Sequence, residues 1–326
     1  MKEGIALIAF TDKGMELTKM LAASLGGEAE RARDGGLAAW TEEHFPKNAA
    51  LVYVGAVGIA VRAIAPRIRN KAEDPAVVCV DETGRWAVPI LSGHLGGANE
   101  LAERIAALTG GEAVVTTATD VNGLFAVDLW AKKQGMAVLQ RERIKAVSAK
   151  LLRGETVTIE SGSPIRGEPP AGVLAGADGD VLVSYRRAET AALQLVPRVL
   201  TLGVGCRRGT EEAQLEEVFA AFCAERGIVP QAIKAAASID LKADEDGLLR
   251  FCEAHGWSIR FYTADELSAA PGKFSASAFV EKRVGVDNVC ERAAVLPEKE
   301  LIEKKYAHAG VTFALAERPT QFDWSW

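Results

Sequence analysis

At 326 residues the chain exceeds one average domain, and 48 % hydrophobic with 25 % charged residues is the balance of an ordinary globular protein. A net charge of −6 leaves no electrostatic footprint for nucleic acid or an anionic membrane, and no run approaches the roughly 18 apolar residues of a membrane span. The five cysteines, Cys79, Cys206, Cys223, Cys252 and Cys290, form no C-x-x-C pair, and their odd number argues for reduced thiols in cytoplasm over a disulfide framework.

In chain order, residues 4–10 predict a strand, followed by a helix capped at Thr11-Asp12 and closed by Gly26-Gly27. A short strand is expected near 37–40 and a clear one over 50–54. The Gly-bearing stretch GAVGIAVRAIAP (55–66) then opens a helix that Pro66 limits. Residues 76–81 and 85–91 predict two strands, a hairpin about Glu82-Thr83-Gly84. After the loop Ser92–Gly97 come a helix over 99–109 and a strand over 112–115. Residues 123–197 differ: helices near 125–134 and 142–152, strands at 156–160 and 181–185, and a Gly/Pro-rich loop between those strands. From 198 a second α/β pattern begins. Its strands are expected at 199–203, 233–238, 258–262 and 311–316, and its helices at 211–226, 247–255 and within GVDNVCERAA. The expected fold is α/β: two three-layer α/β domains with mainly parallel sheets, residues 1–122 and 198–326, joined by a smaller α/β middle segment, 123–197.

Five constellations could carry chemistry. In SGHLGGAN, a strand, a Gly-rich loop and a helix place His94 where α/β proteins hold ligands. His94 is the candidate general base or acid, with Ser92 a candidate nucleophile although G-x-S-x-G is absent. The amides of Gly96 and Gly97 could hold an oxyanion, a term worth about 3–4 kcal/mol per donor. The competing reading is a histidine that merely caps the turn. In GAVGIAVRAIAP, Gly55, Gly58 and Arg62, with Arg67 and Lys71 beyond, suit carboxylates; a tight turn with solvated arginines is the alternative. In TTATD, Thr117 and Asp120 could hold a polar substrate or orient His94, or Asp120 could cap the next helix. GVGCRRGT offers Gly205, Arg207 and Arg208, with Cys206 read as structural and Thr210 as an N-cap. SIDLKADE offers Ser238, Asp240 and Lys242, or a helix cap. The other histidines show no metal-ligand spacing, so no metal site is expected.

GAVGIAVRAIAP, KAEDPAVVCVDETGRWAVPILSGHLGGANELA and TTATD resemble the N-terminal region of the cobalt-precorrin-5A hydrolase family. LGVGCRRGT, AAASIDLKADEDGL and FVEKRVGVDNVCERAA resemble its C-terminal domain. The resemblance implies a hydrolase of anaerobic cobalamin biosynthesis. Such an enzyme opens the δ-lactone of cobalt-precorrin-5A and releases acetaldehyde to give cobalt-precorrin-5B, a hydrolysis ending in carbon–carbon cleavage. Cobalt would arrive within the tetrapyrrole substrate, so no cofactor is implied. The many carboxylates of that substrate would give the arginine-bearing loops a purpose. The alternatives are a non-catalytic tetrapyrrole carrier or scaffold of the same pathway, and a nucleotide- or phosphate-dependent transferase, which the missing P-loop and the lack of an acidic ribose-binding residue at fitting spacing disfavour. No nucleic-acid or membrane partner is expected, and self-association into a homo-oligomer is left open.

Overall fold

The structure, a computed structural model, describes all residues except Met1, Glu3, Asp34, Gly35, Lys71, Ala72, Leu95, 278–280, Arg283, Pro297 and Glu298. Lys71, and Phe279, Val280 and Arg283 of the FVEKRVGVDNVCERAA motif, thus lie outside the described residues. Two compact units divide the chain, Met1–Leu129 and Trp130–Trp326.

The first unit runs β1 (Ile5–Ala9), α1 (Asp12–Leu25), β2 (Glu28–Arg31), α2 (Gly36–Lys47), β3 (Ala50–Val54), α3 (Val57–Ile64), β4 (Ala76–Val80), β5 (Trp86–Leu91), α4 (Ala98–Thr109), β6 (Glu112–Ala113), α5 (Ala118–Val121) and α6, which begins at Val127 and ends at Lys133 beyond the division. Its sheet has the order β2-β1-β3-β4-β5-β6. Alternate strand residues feed two cores. Leu7, Val52 and Val78 pack with Leu101 and Ile105 of α4 on one face, and Ile8, Leu51 and Tyr53 with Trp40 and Ile64 on the other. This is the helix–sheet–helix layering expected from the alternation. The strand expected near 37–40 is instead part of α2. Leu37, Thr41 and Phe45 recur at four-residue spacing, with Trp40 beside them, which makes one helical face against the sheet. The wholly polar-looking Glu28–Arg31 is the strand that pairs with β1, at the sheet's edge.

One turn decides where the site lies. β1, β2, β3 and β4 run parallel, but β5 is antiparallel to β4, with Leu91 opposite Val77 and Ala87 opposite Val80. The carboxyl end of β5 therefore reaches the amino-terminal edge of β3 and β4. β6 runs parallel to β5, and the chain beyond it arrives at the same edge.

The second unit holds two five-stranded sheets. In the first, β7 (Met136–Val138), α7 (Ile144–Leu152), β8 (Val157–Ser161), β9 (Ile165–Arg166), β10 (Val173–Ala175), β11 (Val181–Val183) and β12 (Leu193–Pro197) give the order β10-β8-β11-β12-β7, with β9 outside it. All pairs are parallel except β12 with β7. The second contains β13 (Leu200–Cys206), α8 (Glu212–Arg226), β14 (Ile233–Ile239), α9 (Asp246–Ala254), β15 (Ser258–Tyr262), α10 (Ala264–Ser268), α11 (Cys290–Val295), β16 (Glu300–His308) and β17 (Val311–Glu317), in the order β15-β14-β13-β17-β16. β18 (Phe322–Asp323) pairs with β9. β17 is not the last strand, and its hairpin partner β16 falls in a stretch too charged to signal a strand. Among the described residues, no helix is long and apolar enough to cross a membrane.

Candidate active site

The site forms where β5 and the segment after β6 end together. The tight Ser92–Gly97 loop brings His94 to this edge. A Cβ on Gly96 would stand 2.3 Å from Ser92 Cβ and 2.7 Å from Ser92 O, so only glycine lets the loop close. Ser92 itself holds a φ of +57°, unusual for a residue with a side chain. Its Oγ donates to Asp74 O at 3.1 Å, a bond to the chain before β4 and not to His94. The loop also caps α4 from within. The amides of Ala98 and Asn99 donate to Ser92 O and Gly93 O, both at 3.1 Å. Gly97 N donates to His94 O at 2.9 Å, so this amide, expected to hold an oxyanion, is already engaged. Gly96 N has no hydrogen-bond partner among the described residues.

The His94 ring stands between two carboxylates. Its Nε2 lies 2.9 Å from Asp120 Oδ2 and its Nδ1 3.3 Å from Asp128 Oδ2. Asn99, in the first turn of α4, donates through Nδ2 to that same Asp120 Oδ2 at 2.9 Å and to Thr117 Oγ1 at 3.2 Å. Two donors thus converge on one oxygen of Asp120, while Oδ1 has no partner among the described residues. The carboxylates differ in burial: the Asp128 side chain is 7 % exposed, that of Asp120 28 %. The Asp128 hydrogen bond, opposed by burial and joined by Asp120, pushes His94 up from 6.5 to about 9. Burial works to raise the Asp128 carboxyl, but the bond to His94 and the amides at the start of α6 outweigh it and hold the group below its usual range. At neutral pH His94 is therefore an imidazolium, bonded on one side to the ionised Asp128. No group of three or more His, Cys, Asp or Glu side chains among the described residues is arranged to hold a metal ion.

The remaining candidates are placed elsewhere. Gly55 and Gly58 follow β3, at the opposite edge of the first sheet from His94, and Arg62 lies further along, in the last turn of α3. A five-residue strand, roughly 16 Å, separates those edges. Arg62 has no ion-pair partner among the described residues, whereas Arg67 pairs with Glu42 at 3.3 Å. Gly205, Arg207, Arg208, Ser238, Asp240 and Lys242 belong to the second unit, at and just beyond the carboxyl ends of β13 and β14. The glycines of GVGC have a packing cause: a Cβ on Gly203 would meet Cys290 O at 1.8 Å, and one on Gly205 Thr312 Oγ1 at 2.5 Å. Ser238 Oγ is buried and donates to Val204 O at 2.8 Å, and Lys242 pairs with Glu245 at 3.1 Å. Arg208 pairs with Asp244 at 3.1 Å, while Arg207 has no ion-pair partner among the described residues. Burial pushes the Cys206 thiol up, in keeping with a structural cysteine. Thr210 Oγ1 donates to Arg207 O, and Glu211, not Thr210, is the N-cap of α8.

The Cobalamin synthesis G N-terminal family model matches residues 39–120, and the Cobalamin synthesis G C-terminus model residues 200–316. A cobalt-precorrin-5A hydrolase of Salmonella typhimurium is 35 % identical over 341 residues, covering 96 % of this chain and 97 % of the relative. One of Priestia megaterium is 33 % identical over 298 residues, covering 83 % and 79 %. The chain belongs to the cobalt-precorrin-5A hydrolase family.

In this member of the cobalt-precorrin-5A hydrolase family, sequence reasoning joined His94 with Asp120 as a candidate orienting partner and overlooked Asn99 and Asp128. Asn99 had a local signal, an amide in the first turn of the helix that the histidine loop opens. Asp128 had only its place at the start of a helix, 34 residues from its partner.

Proposed function

We propose that this chain is a cobalt-precorrin-5A hydrolase that opens the substrate's δ-lactone and releases acetaldehyde, with Asp120 as the proton-transfer group and His94 as its cationic partner. The observation that carries the chemistry is the His94–Asp120 pair: one carboxylate oxygen is tied to two donors and the other has no partner among the described residues. Water adds to the lactone carbonyl as Asp120 Oδ1 takes its proton, and the Gly96 amide holds the developing oxyanion. As the ring C–O bond breaks, the proton passes to the departing oxygen, leaving a carboxylic acid and a hydroxyl. Asp120 then takes the hydroxyl proton. The oxygen's electron pair forms the C=O of acetaldehyde, and the pair of the broken C–C bond stays on the macrocycle. The imidazolium of His94 stabilises the Asp120 anion between transfers. Among the arginines of the first unit's candidate loops, Arg62 has no ion-pair partner within the described residues and is our candidate to grip a substrate carboxylate. The five cysteines, none in a disulfide, fit the reducing cytoplasm.

The purified chain, supplied with cobalt-precorrin-5A, is expected to release acetaldehyde, captured as a hydrazone, with cobalt-precorrin-5B identified by mass. Folded H94A should be slower by about 10²–10⁴. Tight substrate binding by the wild type without acetaldehyde would instead establish the carrier reading.

A further inference from the structure

We infer that Asp128 is the positioning residue of this site, fixing the plane and charge of the His94 ring so that Nε2 faces Asp120. The inference rests on the reading of His94 and Asp120 as the reacting pair, but Asp128 lies beyond the N-terminal family match, which ends at residue 120. The charged groups facing His94 are Asp120 from α5 and Asp128 from α6, and they meet opposite ring nitrogens. Their surroundings divide the work. Asp128 is the more buried of the two, and its Oδ2 is the acceptor at Nδ1, so it is poorly placed to exchange protons with a substrate. It is well placed to keep Nδ1–H pointed inward whatever happens at Nε2. With Nδ1 held protonated, the only ring proton free to move is the one shared between Nε2 and Asp120 Oδ2. Remove the Asp128 side chain, and the ring would lose its orientation; remove only its charge, and the ring would lose much of its affinity for a second proton. Asn99 completes the frame by holding Asp120 Oδ2 from the other side at 2.9 Å.

The test reads His94 directly. Nitrogen-15 NMR of the full chain, with the His94 signal assigned by its loss in H94Q, should give a midpoint near 9 in the wild type. In D128N, whose amide oxygen can still accept from Nδ1–H, the midpoint should fall by about one pH unit or more, roughly a tenfold loss of proton affinity. An unchanged midpoint in folded D128N would overturn the inference. The second measurement is a double-mutant cycle on acetaldehyde release: if Asp128 acts through His94, D128N should lower kcat in the wild type and add nothing in H94Q, with KM little changed. Full additivity would overturn it as well. Should the wild type release no acetaldehyde, the functional reading fails, yet the NMR titration still decides whether Asp128 holds the ring.

Discussion

Asp120→Asn is the most informative single change. Asp120 Oδ2 accepts from His94 Nε2 and Asn99 Nδ2, both at 2.9 Å, so an amide at this position must turn its oxygen to those two donors. Its NH2 then occupies the place of Oδ1, the one oxygen the described residues leave open. Shape and hydrogen bonds survive; the ability to take a proton does not. The stability cost should be modest, about 1 kcal/mol for a charged hydrogen bond made neutral. The kinetic cost should be that of losing a general base, about 10²–10⁴ in kcat or roughly 3–5 kcal/mol of barrier, with KM little changed. Single-turnover acetaldehyde release from cobalt-precorrin-5A, alongside circular dichroism and thermal melting of the same preparation, measures both. A folded D120N within tenfold of the wild type would refute the assignment of Oδ1 as the proton acceptor. A rise in KM at constant kcat would make Asp120 a binding group instead.

Three further outcomes are expected. His94, raised from 6.5 to about 9 in the folded state, binds more protons there than in the unfolded chain, so its stabilisation is full below pH 6.5 and disappears as pH rises through 9. That interval is worth at most about 3 kcal/mol, and about half of it once solvent on the Asp120 side screens the pair. Urea unfolding of wild type and H94Q at pH 6 and pH 10 should show the difference shrinking at the higher pH, and a constant difference would exclude it. Gly96→Ala drives a methyl against Ser92, whose Cβ and O lie 2.3 and 2.7 Å from the ideal position. It should cost about 1–3 kcal/mol in thermal unfolding and displace His94, lowering kcat; a stable, fully active G96A would show the loop to be looser than described. Ser92→Gly relieves the +57° backbone at the loss of one hydrogen bond, two effects of about 1 kcal/mol that nearly cancel. Activity should persist within a few-fold, whereas complete loss with retained folding would point to an acyl-enzyme on Ser92.

The layered units, the hairpin at Glu82–Gly84 and the contact of His94 with Asp120 of TTATD were legible because each is written in local pattern: apolar runs of strand length, turn residues, and a polar cluster at a strand end. What the sequence hid follows from distance along the chain. The hairpin was predicted, but its consequence for the site needs the sheet order. Reversing β5 sends the histidine loop to one edge and leaves Gly55 and Gly58 at the other. Gly203 and Gly205 look like an anion cradle in sequence, since nothing nearby reveals that Cys290 and Thr312 press on them from α11 and β17. Asp128 and Asn99 are polar residues at helix starts, where a capping role is the ordinary expectation, and only tertiary contact marks them as partners of His94 and Asp120.

The charge of the cluster limits what it can do for a carboxylate-rich substrate. Two anions and one imidazolium leave the site net negative, so it repels the groups by which such a molecule would be held. Under the proposed mechanism, proton transfer and substrate grip therefore fall to different residues. The grip must come from cations whose charge is not already neutralised. Arg208, bidentate to Asp244, and Lys242, tied to the buried Glu245, would each have to break a pair before binding a carboxylate. Arg62, without an ion-pair partner among the described residues, would not. The imidazolium makes the arrangement workable: by offsetting one of the two carboxylates it lets a polyanion come near without meeting two uncompensated charges.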